Sequence, residues 1–444
     1  MTQESPAEPA TAPKARTLKA RTLKARTLKA RTPRTRTAVG ALLALGLFLV
    51  LGTVQAVRPV PAPALRIDAA HASYTFPGDF TVPWPRQGQA AVTVPGSGSV
   101  GTHGAPEPVP IASVAKVMTA YVLLTERPLA KDETGPVIEI DARTVAEGKA
   151  KHESRIAGLS AGQEFSQQDM LKMLMIPSGN NIARLLARWT TDSDSEAAFV
   201  RKMNDAAKKL GMDDTTYTDP SGLDERTVST AVDQLKLAEA VMAYDAFRAV
   251  VALPSATVSG LDDPLINNMG DLLLAGLSVR GIKTGSNTPA GGTLVWAAYK
   301  TVGDRTPLIL GTMLDQHADG PDTNGAASLT LVKDSSGTVI EAVRDALTSA
   351  TAVREGQVVG YVDDGLGGRT ALVTAADLTV IGVPGQQVEP RITGYGKALP
   401  HSAKAGTEVG GLAVGSGPDA VRIPVTLRDD LTAPSLVSKL TRLG

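Results

Sequence analysis

Three short groups of polar residues have the types and spacing needed for nucleophilic catalysis. Ser113 and Lys116, in IASVAKVM, stand three residues apart. On a helix that spacing places both side chains on one face, about 5 to 6 Å apart at Cβ. A serine hydroxyl is a weak nucleophile until a base takes its proton. Lysine can be that base only where burial or nearby positive charge lowers its pKa. A helix N-terminus near Ser113 would also favour an incipient alkoxide. Ser178 and Asn180, in IPSGNNI, are polar side chains in an otherwise apolar neighbourhood. Lys283, Thr284, Gly285 and Ser286, in GIKTGSN, combine a fixed cation and a hydroxyl donor with a glycine that lets a ligand approach the backbone. Each group alone has a plain structural explanation: a helix cap with an exposed lysine, an Asn/Gly helix stop, and a solvent-facing strand lysine.

The surrounding residues predict elements that would present these groups. Gln89 to Val94, a Pro-Gly turn and Ser99 to Thr102 read as a hairpin. Pro110 precedes a run with Val114, Val117, Met118, Tyr121, Val122 and Leu124, which predicts a helix starting near Ser113. QQDMLKMLM before Ser178, and Ile182, Leu185 and Leu186 after it, predict a turn between two helices. Lys283-Thr284-Gly285 precedes a strand-like run, Thr293 to Tyr299. A strand over Pro307 to Met313 and a helix over Ala326 to Leu347 would complete a sheet-plus-helix domain ending near Ala350.

The order S-x-x-K, S-x-N, K-T-G, with gaps of 65 and 105 residues, resembles the D-alanyl-D-alanine carboxypeptidases, low-molecular-mass penicillin-binding serine peptidases. MLMIPSGNNIA, MNDAAKKLGMDDTTYTDPSGLD and VSTAVDQLKLA are also similar to that family, and the likeness covers roughly residues 89 to 320. The resemblance implies an α/β (α+β) fold: a penicillin-binding/β-lactamase-like catalytic domain, its sheet flanked by helices and a helical subdomain, followed by a small all-β domain. It implies that Ser113 attacks the bond between two D-alanines of a peptidoglycan stem peptide, and that β-lactams acylate the same serine. Lys116 would be the general base. Ser178 and Asn180 would relay protons and hold Lys116 and the substrate amide, Lys283 would lower the Lys116 pKa, and Thr284 would bind the terminal carboxylate. The N–H groups of Ser113 and Ser286 would form the oxyanion hole. Three positions depart from the family pattern: Ala115 where many members have threonine, Asn287 where G-x-T would place one, and the absence of arginine between Arg305 and Arg344.

Other chemistries are weaker. His71, His103, His152, His317 and His401 are scattered and none has zinc-ligand spacing, so no metal and no cofactor is expected. A β-lactamase of class A would carry an E-x-x-L-N glutamate, and Glu196, which opens EAAFVRKMN, does not match it. An endopeptidase or transpeptidase of the same fold and a non-catalytic envelope protein are the remaining alternatives.

Composition sets the outer limits. The 444 residues allow two folded parts plus tails. With 43% hydrophobic but 4% aromatic residues, the interior must be filled by Ala, Val, Leu and Ile. Lys plus Arg equal Asp plus Glu at 45 each, yet residues 1–36 hold ten basic residues against Glu4 and Glu8. The remainder is therefore acidic, with 35 basic and 43 acidic residues, and nucleic acid is excluded as its partner. The absence of cysteine excludes disulfides and thiolate chemistry.

The N-terminal part predicts export. Residues 14–32 repeat KARTL, a basic tail (1–37) suited to anionic lipid. No residue between Arg36 and Arg58 is charged, so 38–57 reads as a signal-anchor with the tail inside and the rest outside the membrane. Cleavage after Val54-Gln55-Ala56 would release the protein instead. The prolines of 58–88 predict a linker, 89–350 the catalytic domain and 351–430 a β-sandwich-like domain from the runs VVGYV, ALVTA, LTVIGV, VGGLAV and VRIPVTL. That domain is expected to be dispensable for the chemistry. Residues 431–444 read as a tail with Leu436, Leu440 and Leu443 at helical spacing.

Overall fold

The computed structural model describes residues 33–415 and 420–442, and the KARTL repeat lies outside them. Two compact units form: one from Pro61–Pro434, the other from the segments on either side of it.

In the larger unit an antiparallel sheet of five strands runs in the order Val279–Asn287, Gly291–Tyr299, Leu308–Gln316, Gln89–Val94, Gly98–His103. Successive side chains of a strand point to opposite faces. Here both faces are apolar. Leu294, Trp296, Ile309, Met313 and Val92 pack against Val332, Val339, Ile340 and Val343 of the long helix Ala326–Ala346. Their neighbours Val295, Ala297, Leu310, Leu314 and Ala91 face the other way, into a helical subdomain containing Met118, Leu123, Leu171, Leu174, Ile182 and Leu186. The result is helix, sheet, helix in three layers, which explains why these strands read as apolar runs without clean alternation.

The helical layer includes Lys116–Glu126, Gln167–Met175 and Asn180–Thr191. Ser166 begins the second of these, its hydroxyl accepting from the Asp169 N–H at 3.1 Å. That helix ends at Met175, and beyond it Ser178 turns the backbone into the left-handed region at φ 70°.

The segment expected to be a linker is partly built into the fold. Ala64–Ile67 forms the outer strand of a six-stranded antiparallel sheet, Ala64 opposite Asp363 and Ile67 opposite Gly360. Tyr74–Thr75 pairs with Gln387–Val388. Proline denies a strand a donor but is tolerated beside an edge. The four residues 64–67 contain none, and Phe76 is buried in the β core. The six-stranded sheet also uses Val358–Asp363, Arg369–Thr374, Val421–Leu427, Glu408–Val414 and Arg391–Thr393. Its Val359, Val362, Leu372, Leu412, Val425 and Leu427 share a core with Leu378 and Val380 of a second, two-stranded sheet.

A boundary at Ala350 cuts through structure. Thr348–Val353 is one strand, paired with Leu378–Gly382. Ile381 and Val383 belong to the core around Trp296, so the β region and the five-stranded sheet share buried apolar surface.

The smaller unit holds the helix Pro33–Val57, of which Thr37–Val57 is long and apolar enough to cross a membrane. The segment expected to be a tail contains a second helix, Leu436–Thr441. Beyond it Arg442 donates to the carbonyls of Gln55 and Arg58 at 2.9 Å and of Pro59 at 3.0 Å, groups left without helical partners at a C-terminus.

Candidate active site

Ser113 lies in a single 3-10 turn, Ala112–Ala115, that leads into the helix Lys116–Glu126. Ala112 has φ 44°, an uncommon conformation for a non-glycine residue. The turn is held from two sides. A Cβ on Gly222 would stand 1.8 Å from the Ala112 carbonyl oxygen, and one on Gly285 would stand 2.8 Å from the Ser113 nitrogen and 2.4 Å from Thr293 Oγ1. Only glycine lets the backbone on both sides approach this closely. Thr293 adds a hydrogen bond to the Ile111 carbonyl at 3.1 Å.

Lys116 meets Ser113, Nζ to Oγ at 2.9 Å. Its Nζ also donates to the Ser221 carbonyl at 2.8 Å, and the whole side chain is buried. Burial pushes the Lys116 pKa well below its ordinary value, and the Lys283 cation lowers it further; Asp219 and Glu153 oppose this in part. Lys283 is buried as well and is pushed down by burial to about 7. Its Nζ donates to the Thr284 carbonyl at 2.8 Å. Ser178 Oγ and Asn180 Oδ1 are buried without a protein partner. Asn180 Nδ2 donates to Glu153 at 2.7 Å.

A cleft of about 570 Å³ opens over these groups. Of the residues singled out by sequence, Ser113, Asn180 and Ser286 line it, with Lys151, His152, Leu223, Asn287 and Asn324. Lys116, Ser178, Lys283 and Thr284 are buried behind that wall. Thr284 and Ser286 stand two apart on one strand, hence on the same face, with Ser286 at the cleft.

The sequence reading did not assign the segment that fixes the lysine. Asp219 accepts from the Ser221 N–H at 3.0 Å, the Ser221 hydroxyl at 2.6 Å, the Leu223 N–H at 3.1 Å and the Thr227 hydroxyl at 2.8 Å. This turn aims the Ser221 carbonyl at Lys116, and Thr119 donates to the adjacent Pro220 carbonyl at 2.6 Å. The Asp-Pro-Ser-Gly turn chemistry was visible in the sequence, but nothing there said which carbonyl it would present. Among the described residues no group of histidine and carboxylate side chains is arranged to hold a metal ion.

A family model described as D-alanyl-D-alanine carboxypeptidase, peptidase S11, matches residues 92–316, and these carry all three motifs. The chain belongs to that family. A D-alanyl-D-alanine endopeptidase of Pseudomonas aeruginosa is 35% identical over 173 residues, 39% of this chain and 53% of the relative. The carboxypeptidase DacB2 of Mycobacterium tuberculosis is 33% identical over 195 residues, 43% and 62%. DacC of Escherichia coli is 32% identical over 227 residues, 50% and 55%. The chain thus spans about half the length of the curated relatives it matches. Among solved structures, penicillin binding protein 5 of Haemophilus influenzae superposes with a TM-score of 0.57 at 18% identity, covering 81% of this chain and 100% of that one. The D-alanyl-D-alanine carboxypeptidase DacD of Francisella tularensis gives 0.54 at 18%, covering 81% and 96%. At that identity they establish the fold, including the β region beyond the part matched by the family model.

Proposed function

We propose that this family member is a serine D-alanyl-D-alanine carboxypeptidase, with Ser113 as nucleophile and Lys116 as general base. The observation that carries the reading is the 2.9 Å contact between Lys116 Nζ and Ser113 Oγ, made by a lysine whose burial and cationic neighbour favour the neutral amine. With one N–H spent on the Ser221 carbonyl, a neutral amine keeps a lone pair that can take the serine proton across the 2.9 Å contact.

Lys116 takes the Ser113 proton as Oγ bonds to the carbonyl carbon between the two D-alanines. The oxyanion is received by the N–H groups of Ser113 and Ser286. A missing donor of this kind typically costs about 3 kcal/mol of transition-state stabilisation. Collapse breaks the C–N bond, and the leaving D-alanine nitrogen takes the proton back from Lys116 through the Ser178 hydroxyl. Water then hydrolyses the Ser113 ester, activated by the same lysine. Asn180 holds the substrate amide, and the strand end that brings Ser286 to the cleft, with Lys283, Thr284 and Gly285 behind it, receives the terminal carboxylate. A β-lactam enters as the acylating amide and stays on Ser113.

The likeness to relatives named as endopeptidases supports a second reading, in which the scissile bond lies in a cross-link. The same fluorescent penicillin labels both. Ser113→Ala must abolish that label while leaving the thermal unfolding curve in place, and a label retained on the variant refutes the nucleophile. Release of free D-alanine from a pentapeptide, against cleavage of a cross-linked dimer, separates the two substrates.

The reading includes placement. Thr37–Val57 anchors the chain once in the membrane with its basic tail inside and the region from Gln89 outside, where stem peptides and penicillins reach it. External protease on intact cells should then digest the outer region and spare a tag at Met1; the opposite pattern excludes a wall substrate. A mature chain starting after Ala56 removes only the anchor.

A further inference from the structure

We infer that Glu153 is a positioning residue for the candidate site: by accepting from Asn180 Nδ2, it orients that amide so that Oδ1 is presented to the reacting groups. The inference rests on the serine peptidase reading above.

Nitrogen and oxygen of an asparagine amide have the same shape, so a neighbour must decide which end faces the substrate. An ionised carboxylate can only accept. Glu153 Oε2 lies 2.7 Å from the Asn180 amide, which fixes the nitrogen on that side and leaves Oδ1, buried and otherwise unpartnered, on the other. A second hydrogen on Nδ2 is still available to a substrate carbonyl. Glu153 is itself held in place. Arg184, one helical turn after Asn180, donates to both its oxygens at 3.2 and 2.9 Å. The Glu153 side chain is 9% exposed. Burial pushes its carboxyl up, but the hydrogen bonds from Arg184 and Asn180 overcome this and hold it below the ordinary range, so it stays ionised at neutral pH.

The backbone repeats the connection. The Asn180 N–H donates to the Ser154 carbonyl at 2.9 Å, and the Asn181 side chain exchanges two 3.0 Å hydrogen bonds with Ile156. The 153–156 loop is thereby stitched to the Ser178-Gly179-Asn180 turn. Behind Arg184 a ladder continues through Glu147, Arg188 and Asp141, with Arg188 bonding Asp141 at 3.1 Å. Arg184, Glu147 and Arg188 are largely buried, at 15%, 15% and 7% exposure, so each charge is held by partners that it cannot lose without leaving another buried and unpaired. Such a network holds the Glu153 carboxylate in one place, which is what orienting the Asn180 amide requires.

The test uses the full detergent-solubilised chain and a fluorescent penicillin, resolving the acylation rate constant from the dissociation constant of the preceding complex. Glu153→Gln keeps the volume but offers an amide that can meet Asn180 in either sense. The acylation rate should fall about tenfold, as expected for loss of one charge-assisted hydrogen bond, with the dissociation constant within about twofold. In an Asn180→Ala background the same substitution should change the rate by less than about twofold, since no amide remains to orient. Glu153→Asp keeps the charge but retracts from Asn180, and should repeat the pattern if the glutamine variant does not fold. Equal losses in both backgrounds, no loss in either variant, or failure of both to fold overturns the positioning role. An unlabelled wild-type chain overturns the serine peptidase reading, and this inference with it.

Discussion

Replacing Lys283 by methionine should change how stability depends on pH. Lys283 is buried, and burial brings its pKa from the ordinary 10.5 to about 7. The difference corresponds to roughly 5 kcal/mol between the charged and neutral forms. The folded pKa is depressed, so between about 7 and 10.5 the unfolded chain binds more protons than the folded one. Stability from this group is complete above 10.5 and is lost as pH falls through about 7. Within that window wild-type unfolding free energy should rise with pH by about 1 kcal/mol per pH unit from Lys283 alone. Lys116 adds a slope of the same sign, because burial and Lys283 lower its pKa as well. Urea unfolding of wild type and Lys283→Met at pH 7, 8 and 9 reads the first contribution, together with the rise in the Lys116 pKa that the substitution allows, as the difference between the two slopes; both flatten the variant. The variant should be flatter by about 2 kcal/mol over those two pH units, and more stable than wild type at pH 7. Parallel slopes would refute the argument, since they would mean that the amine keeps its proton in the folded chain throughout. Penicillin acylation gives a second reading of the same charge: without Lys283 the Lys116 pKa rises, so the acid limb of the acylation profile should move to higher pH.

Lys116→Ala should reduce acylation by about 10² to 10⁴, the usual range for a lost general base, while the complex still forms; normal acylation in that variant would require another base. Gly285→Ala should cost most of the labelling, because its Cβ would press Thr293 Oγ1 at 2.4 Å and the Ser113 nitrogen at 2.8 Å; a labelled variant with unchanged rate would show that the strand does not set the Ser113 turn. Truncation after Ala350 removes Ile381 and Val383 from the core around Trp296 and splits a strand. The shortened chain should unfold at lower temperature than the full one, and equal unfolding temperatures would show that the shared core contributes nothing.

The three motifs were legible because their chemistry is carried by residue identity at short spacing: Ser113 and Lys116 stand three apart at a helix start and meet there, although distant contacts hold the turn in place. The same holds for the turn at Ser178 and for the strand carrying Lys283, since both lie between strongly periodic apolar runs. What was not legible is long-range. Nothing at Ser221 announces that its carbonyl, 105 residues after Lys116, receives the lysine, because a backbone acceptor has no residue type. Glu153 lies in a loop without periodicity and gains its partner only when the Asn180 helix is packed beside it. The expected boundary at Ala350 falls inside a strand for a related reason. The change from helical to alternating pattern was read correctly as a change of element, but a pattern along the chain does not record which faces share a core.

The departures from the family pattern around the site have local physical causes. Ala115 stands where a threonine was the common expectation, and it is buried with no exposed surface. Gly222 passes so close that a Cβ there would come within 3.0 Å of the Ala115 Cβ, so a larger residue at 115 would push on the very turn that carries Ser221. Asn287 stands where another threonine was expected. Its Oδ1 accepts from the Ala290 N–H at 2.8 Å and closes the hairpin between Val279–Asn287 and Gly291–Tyr299. That hairpin sets the register in which Gly285 faces Thr293 and Ser286 faces Gly292. An asparagine at this position therefore acts on Ser113 indirectly: it fixes the strand edge that Gly285 brings against the Ser113 backbone and on which Ser286 reaches the cleft.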